Sequence, residues 1–331
     1  MTKKLAICIP TYNRAKCLDF TLEQIEKQGQ DIQVCISDNA SPDNTREIVE
    51  KHMKTLDIKY SRNEENLGFD VNLTKVIMLA DAEFIWTMGD DDIILDGGIK
   101  QLVSDVERVE PGTNAIYVNS FVVEGNACMT FGFSDFRHFD VANSPLMKIN
   151  QGFNVFCMRT ETAKEYMRKH GADRIYMEFW QQNRMFMECV KSTMKIAIEP
   201  KPLMQGLQAI ADLNTYKPQS NKGVMKDEPL YLRYELARMN DYSWFPYKVD
   251  SMLTFARSEI RRSVLAYKEP ELKTIKDECT VMYRKICARR HAQEYAMLTD
   301  AIALCMPVVS FIYDIKRKVL RQKVYRMPKS D

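Results

Sequence analysis

The chain has 331 residues, 45% hydrophobic and 28% charged, and its 47 basic and 45 acidic side chains leave a net charge of +2. That length can bury one large core or two smaller ones, the composition excludes a disordered chain, and so small a net charge creates no field that would draw nucleic acid. Nine cysteines lie scattered, without a Cys-x-x-Cys pair or a histidine cluster at zinc spacing, so they read as reduced core thiols.

Residues 5–9 form a continuous apolar run, the pattern of a strand covered on both faces, and no secretory signal precedes it, so a cytoplasmic chain is expected. Leu18, Leu22 and Ile25 recur at helical spacing. Residues 32–37 read as a second strand. Asn44 stands where it can cap a helix with Glu47 three residues on, and Ile48, Val49, Met53 and Leu56 are expected on that helix's inner face. A third unit follows, with a strand at 58–61 and a helix carrying Leu73, Val76, Ile77 and Ala80. Residues 83–88 are the fourth strand, running straight into Gly89-Asp90-Asp91-Asp92.

Strands alternating with helices in this way predict an α/β fold, a doubly wound and mostly parallel sheet. A helix over 97–109, strands at 115–123, 153–158 and 194–198, and helices over 161–169 and 178–190 extend it. From Pro229 onward helical patterns dominate, broken at Glu269-Pro270 and Pro307. The expected division is a catalytic domain over 1–205, with a nucleotide-binding half (1–120) and an acceptor half (121–205), followed by a helical region over 206–331 that ends in a basic amphipathic tail.

The acid triplet is the strongest chemical signal. Three adjacent carboxylates repel one another unless a cation, solvent or protonation relieves them, and Mn2+ or Mg2+ prefers such oxygen ligands. A solvated acidic turn is the competing account, and the placement behind the buried strand favours the site, because open α/β sheets bind ligands beyond the carboxyl ends of their strands. Asp38, ending the second strand, can accept a hydrogen bond from a base or ribose, although every polar residue of 38–44 is also a good turn former. Residues 10–14 lack Gly-x-Gly-x-x-Gly, and no phosphate-loop motif occurs, which disfavours a dinucleotide dehydrogenase and a phosphate-loop kinase or ATPase.

Four segments in order, residues 7–14 (ICIPTYNR), 36–41 (ISDNAS), 66–68 (NLG) and 89–92 (GDDD), resemble glycosyltransferase family 2 with the GT-A fold. The resemblance is good over about the first 120 residues and leans toward the abequosyltransferase-like branch of bacterial surface-polysaccharide enzymes. It implies that Pro10, Thr11, Tyr12 and Arg14 line a nucleotide cleft together with Asp38, Asn39, Asn66 and Gly68. It also implies that the acid loop holds ribose and a divalent cation, through Asp90 and through Asp91 and Asp92 respectively. The family's Asp-x-Asp-Asp pattern would place its first acid at Gly89, which makes Asp91 the first choice for the metal.

The same resemblance puts a general base near 173–180, where Glu178 is the leading candidate and Asp173 the reserve; a carboxylate favoured in a helix's first turn is the plain alternative for Glu178. Trp180 fits a core aromatic better than a sugar platform, and the four histidines read as structural. The implied activity is inverting transfer of a sugar from a nucleotide-sugar donor to a glycan or polyprenyl-linked glycan acceptor. A sugar-nucleotide nucleotidyltransferase and a non-catalytic glycan- or partner-binding protein are the alternatives. Lys316, Arg317, Lys318, Arg321, Lys323, Arg326 and Lys329, mixed with apolar residues from Val308 to Tyr325, suit either an interfacial helix at an anionic membrane, at the inner face of the plasma membrane, or an ordinary amphipathic helix packed on the catalytic domain.

Overall fold

The computed structural model describes residues 2–121, 131–145, 155–170 and 181–205, and beyond these 259–260, 262–264, 266–268, 273–274, 276–277, 292–312 and 315. The chain divides into two compact units, Met1–Ser220 and Asn221–Asp331.

The first unit runs β1 (Leu5–Thr11), α1 (Ala15–Gln28), β2 (Gln33–Asp38), α2 (Thr45–His52), β3 (Ile58–Arg62), α3 (Phe69–Leu79), β4 (Phe84–Thr87), β5 (Ile93–Ile94) and α4 (Gly98–Glu107). It continues with β6 (Ala115–Phe121), β7 (Arg137–Asp140), β8 (Phe156–Arg159), α5 (Thr160–His170), α6 (Gln181–Lys191) and β9 (Lys195–Gln205). Across the sheet the order is β3-β2-β1-β4-β8-β6-β9-β5, with β7 paired to β9. The β3-β2-β1-β4 half is wholly parallel, and β8 enters antiparallel between β4 and β6. This is the mixed α/β sheet that the alternating pattern predicts.

Side-chain alternation along β1 sends Leu5, Ile7 and Ile9 into one cluster with Leu18, Leu22 and Ile25 of α1, Val49 of α2 and Trp86 of β4. Each fully buried aliphatic side chain of this kind stabilises the fold by roughly 1.5–3 kcal/mol. α3 packs against β1 and β2. Because both faces of β1 are covered, all seven of its residues are buried.

Two local expectations are corrected. Asn44 holds the N-cap position of α2 but makes no capping bond with its side chain; Asp43 accepts from the Thr45 amide at 3.2 Å and the Thr45 hydroxyl at 2.6 Å instead. Met53, the C-cap of α2, is 42% exposed, and His52 takes the inner position. Its ring nitrogens lie 2.7 Å from Glu26 and 2.7 Å from Asp19, tying α2 to α1. Pro202 lies inside β9. A register shift between Val118 and Ser120 absorbs the irregular backbone there, and Asn119 donates to the Pro200 carbonyl at 2.7 Å. The short strands β5 and β7 were not anticipated.

In the second unit the helix Ala292–Leu304 and the helical residues 306–312 that follow it carry a small core of Val264, Ile302 and Met306, against which Ile260, Leu298 and Val309 pack. Glu259 and Arg262 are fully buried and paired at 2.7 Å. Among the described residues no helix is long and apolar enough to cross a membrane. Among the described residues five cysteines are buried as expected, and Cys305 is exposed.

Candidate donor and cation site

Four neighbouring parallel strands end side by side, and the loops leaving their carboxyl ends bring together most of the residues singled out above. β1 delivers Thr11 and Arg14, β2 delivers Asp38 and Asn39, β3 leads to Asn63 and Asn66, and β4 leads to the acid loop. Two of these loops hold a non-glycine residue at positive φ, Asn13 at 54° and Ala40 at 63°. Such backbone is costly for an L-residue and persists only where the surroundings enforce it. The two loops are tied together directly, since the Asn13 amide donates to the Ser41 hydroxyl at 2.8 Å.

Asp90, Asp91 and Asp92 are all buried, so the solvated-turn account does not describe them. Each carboxylate is relieved differently. Asp90 accepts from the Thr11 hydroxyl at 2.7 Å and pairs with Arg14 at 2.7 Å. Burial pushes its carboxyl above the ordinary value, with Arg14 and Thr11 pulling the other way. Asp92 accepts from the Gly89 amide at 2.8 Å and so closes its own loop. The loop backbone is held from α1, where the Thr21 hydroxyl reaches the Asp90 carbonyl at 3.0 Å and the Gln24 side chain accepts from the Ile94 amide at 3.0 Å.

Asp91 pairs through one oxygen with the second arm of the Arg14 guanidinium, while its other oxygen, Oδ1, is buried without a hydrogen-bond partner. An unpaired buried carboxylate oxygen carries an uncompensated desolvation cost, which a bound cation would remove. Gly89 supplies the space. A Cβ placed there would lie 3.0 Å from Asp91 Oδ1 and 3.1 Å from Asp92 Oδ2, so these two oxygens flank a volume that any other residue would fill. Among the described residues no three acidic, His or Cys side chains form a complete metal cage. Two carboxylate oxygens beside an opening nonetheless fit Mg2+ or Mn2+, which commonly take one or two carboxylates and complete their shell with water and substrate phosphates.

Asp38 and Asn39 are placed differently from that pair. Asp38 is fully buried at the end of β2, opposite Arg62 in the β2–β3 register. It accepts from the Ser41 amide at 2.8 Å, the Tyr60 hydroxyl at 2.9 Å and the Arg62 guanidinium, which also donates to the Ser41 carbonyl at 2.8 Å. Burial, then the hydrogen bond to Asp38, pushes the Tyr60 hydroxyl up to about 12. The Asn39 amide group donates to Asn66 at 2.7 Å and to the Gly68 carbonyl at 3.2 Å, and its carbonyl accepts from Asn63 at 2.8 Å and from the Leu67 amide at 2.9 Å. Asn72 continues this network, donating to the Ser37 carbonyl at 2.9 Å and accepting from the Ser37 hydroxyl at 2.7 Å. Asp38 and Asn39 therefore hold the cleft's walls.

Sequence reasoning missed Tyr60, Arg62, Asn63 and Asn72. Asn72 left a signal, a polar residue on the apolar face of α3 beside Leu73 and Val76. Arg62 left none, because its tie to Asp38 depends on strand register. Glu178, Asp173 and Trp180 lie outside the described residues.

Residues 6–135 match the family described as glycosyl transferase family 2. Over these residues the chain is similar to that family. Abequosyltransferase RfbV of Salmonella typhimurium is 41% identical over 95 residues, 27% of this chain and 28% of that protein. The GalNAc(5)-diNAcBac-PP-undecaprenol beta-1,3-glucosyltransferase of Campylobacter jejuni is 30% identical over 132 residues, 39% of this chain and 42% of that protein. The chain thus matches less than half the length of these curated relatives. The solved structure of Staphylococcus aureus TarS 1-349 superposes with a TM-score of 0.54 at 15% identity, covering 91% of each chain. The likeness to TarS is one of fold, and the fold is the GT-A type expected from the four motifs.

Proposed function

We propose that this protein is an inverting, divalent-cation-dependent glycosyltransferase that moves a sugar from a nucleotide-sugar donor to a glycan or polyprenyl-linked glycan acceptor in surface-polysaccharide synthesis. The observation that carries the reading is the buried, unpartnered Oδ1 of Asp91 beside the opening at Gly89, at the carboxyl end of β4. The similarity to the Campylobacter jejuni GalNAc(5)-diNAcBac-PP-undecaprenol beta-1,3-glucosyltransferase, and to TarS, solved in complex with UDP-GlcNAc, supports the acceptor and donor classes.

In this reading Asp91 and Asp92 hold Mn2+ or Mg2+, which when bound offsets the negative charge that develops on a departing nucleoside diphosphate. Thr11 and Arg14 fix the Asp90 carboxylate, and Arg14 keeps its guanidinium at the edge of the donor cleft. Asp38, Arg62 and Tyr60 set the shape of the nucleoside wall, while the asparagine network holds the loop from Asn63 to Gly68 against it. Glu178 takes the acceptor hydroxyl's proton, with Asp173 in reserve. The protein works at the cytoplasmic face of the plasma membrane as a peripheral protein.

The test is a thermal-shift screen of sugar nucleotides with and without Mn2+, followed by transfer assays with the donor so found. Ligand that binds only the native state raises apparent stability by mass action. A cation-dependent shift with one donor is expected, and Glu178→Gln should slow transfer at least about a hundredfold with donor binding intact. No donor shift across the panel would overturn the proposal. Normal turnover by Glu178→Gln would move the base to Asp173.

A further inference from the structure

The helix of the second unit has two apolar sides. Ile302 and Met306 are buried in the small core with Val264, and Val309 packs beside them. On the opposite side Leu304, Val308, Phe311, Ile312 and Ile315 are between 48% and 85% exposed, at intervals of three and four residues that keep them on one face. The remaining exposed residues from 301 to 312 are Ala301, Ala303, Cys305 and Pro307, so over those twelve positions no exposed residue is charged or polar. Solvent-facing helix sides ordinarily carry charges, and a contiguous apolar stripe on a soluble surface marks a contact.

The charges that would be expected on that face come instead immediately after it. From Asp300 to Lys329 the sequence holds seven cations, all from Lys316 onward, against two acids, Asp300 and Asp314. An apolar stripe continued by clustered cations matches a surface that offers hydrocarbon and anions together. A second copy docked symmetrically through the same stripe would set its own cation cluster beside this one, like charge against like charge.

We infer that the face formed by Leu304, Val308, Phe311, Ile312 and Ile315 docks on an anionic phospholipid surface, with the basic residues from Lys316 to Lys329 engaging the headgroups. The inference rests on the membrane-linked acceptor reading, and it names the part of the molecule that makes the contact. The stripe enters the headgroup–acyl boundary on its exposed side while its inner side keeps the contacts with Val264. Asp300 marks the end of the stripe that stays in water.

The experiment is flotation of the full-length protein with phosphatidylcholine vesicles, with and without about a third phosphatidylglycerol, at low and high salt. It needs neither donor nor metal, so its outcome is independent of whether the donor assignment holds. Binding to the anionic vesicles, weakened at least about tenfold on going from roughly 0.1 M to 0.5 M salt, is expected. The double variant Phe311→Asp, Ile312→Asp should lose at least about tenfold in partitioning, and Lys316→Gln, Arg317→Gln, Lys318→Gln should lose binding to the anionic vesicles and its salt dependence. Unchanged melting temperatures establish that both variants fold. Absence of binding to anionic vesicles, or wild-type partitioning by both variants, overturns the inference. So does a concentration-dependent dimer, seen by light scattering, that Phe311→Asp, Ile312→Asp abolishes while vesicle binding is absent, which would make the face a contact between copies.

Discussion

Two groups of buried carboxylates in the first unit face the same electrostatic problem and meet it in different ways. At the carboxyl end of β4, Asp90 and Asp91 lie against one guanidinium, Arg14, and one oxygen of Asp91 is left over. Between α4 and β9, Asp105 and Glu199 face each other. Asp105 pairs with Arg108 and accepts from Gln101 at 2.9 Å, and the same Gln101 amide reaches Glu199 at 3.3 Å. Burial, then the hydrogen bond to Asp105, pushes the Glu199 carboxyl up to about 8. Asp105 Oδ2 is likewise buried without a partner, but there the raised Glu199 carboxyl keeps a proton, so that pair is relieved from within the fold. The other leaves an oxygen facing an opening, and that marks a place where a ligand can complete it.

The largest effect expected from this contrast is at Arg14. Breaking a buried pair by removing one partner costs about 3–5 kcal/mol, so Arg14→Gln should lower the metal-free melting temperature strongly. Mn2+ should raise the melting temperature of Arg14→Gln more than that of wild type, because the cation replaces the lost charge. Equal increments in the two proteins would remove Asp91 from the cation site. Asp91→Ala comes next. It should weaken Mn2+-dependent donor binding about a hundredfold by calorimetry, roughly 2.7 kcal/mol, and full transfer activity in that variant would end the cation assignment.

The Glu199 pair predicts the opposite kind of behaviour, sensitivity to protons and none to metal. Its folded value of about 8 lies above the ordinary 4.5, so the native state binds the extra proton between those values. Stability from this group is fully present below about pH 4.5 and declines as pH rises toward 8. Asp19, Glu26, Asp81 and Glu83, all lowered by their partners, act in the other direction, and their contributions fade on acidification. Denaturant melts of Glu199→Gln from pH 5 to 8 should show a flatter profile than wild type; an unchanged slope would assign it elsewhere. The smallest effect is at Gly89. Gly89→Ala sets a Cβ against Asp91 Oδ1 and Asp92 Oδ2 and should reduce Mn2+ affinity about tenfold, roughly 1.4 kcal/mol, with little change in metal-free stability. Unaltered affinity would mean that the opening is not where the cation sits.

Much of this was legible in the sequence. The parallel half of the sheet followed from alternating apolar runs and helical spacing, since a strand buried on both faces must be apolar throughout, as Leu5 to Ile9 are. The acid loop followed from its place behind such a strand, and the similarity to glycosyl transferase family 2 from four short motifs. Hydrophobic pattern also pointed to helix in the second unit, where the described residues are almost all helical.

Only tertiary structure decided which acids are satisfied. The ties of Arg14 to Asp90 and Asp91, of Arg62 to Asp38 and of Asn39 to Asn63 span from 24 to 77 positions, and depend on strand order and register that no local pattern encodes. Likewise, that Met53 faces solvent and His52 does not was settled by how α2 lies on α1, where Asp19 and Glu26 meet the His52 ring. That the Leu304–Ile315 stripe has a buried side opposite an exposed one was settled by the core around Val264. Composition and periodicity determine which residues seek burial or charge partners; the assembled sheet and helices determine which of them are left without one.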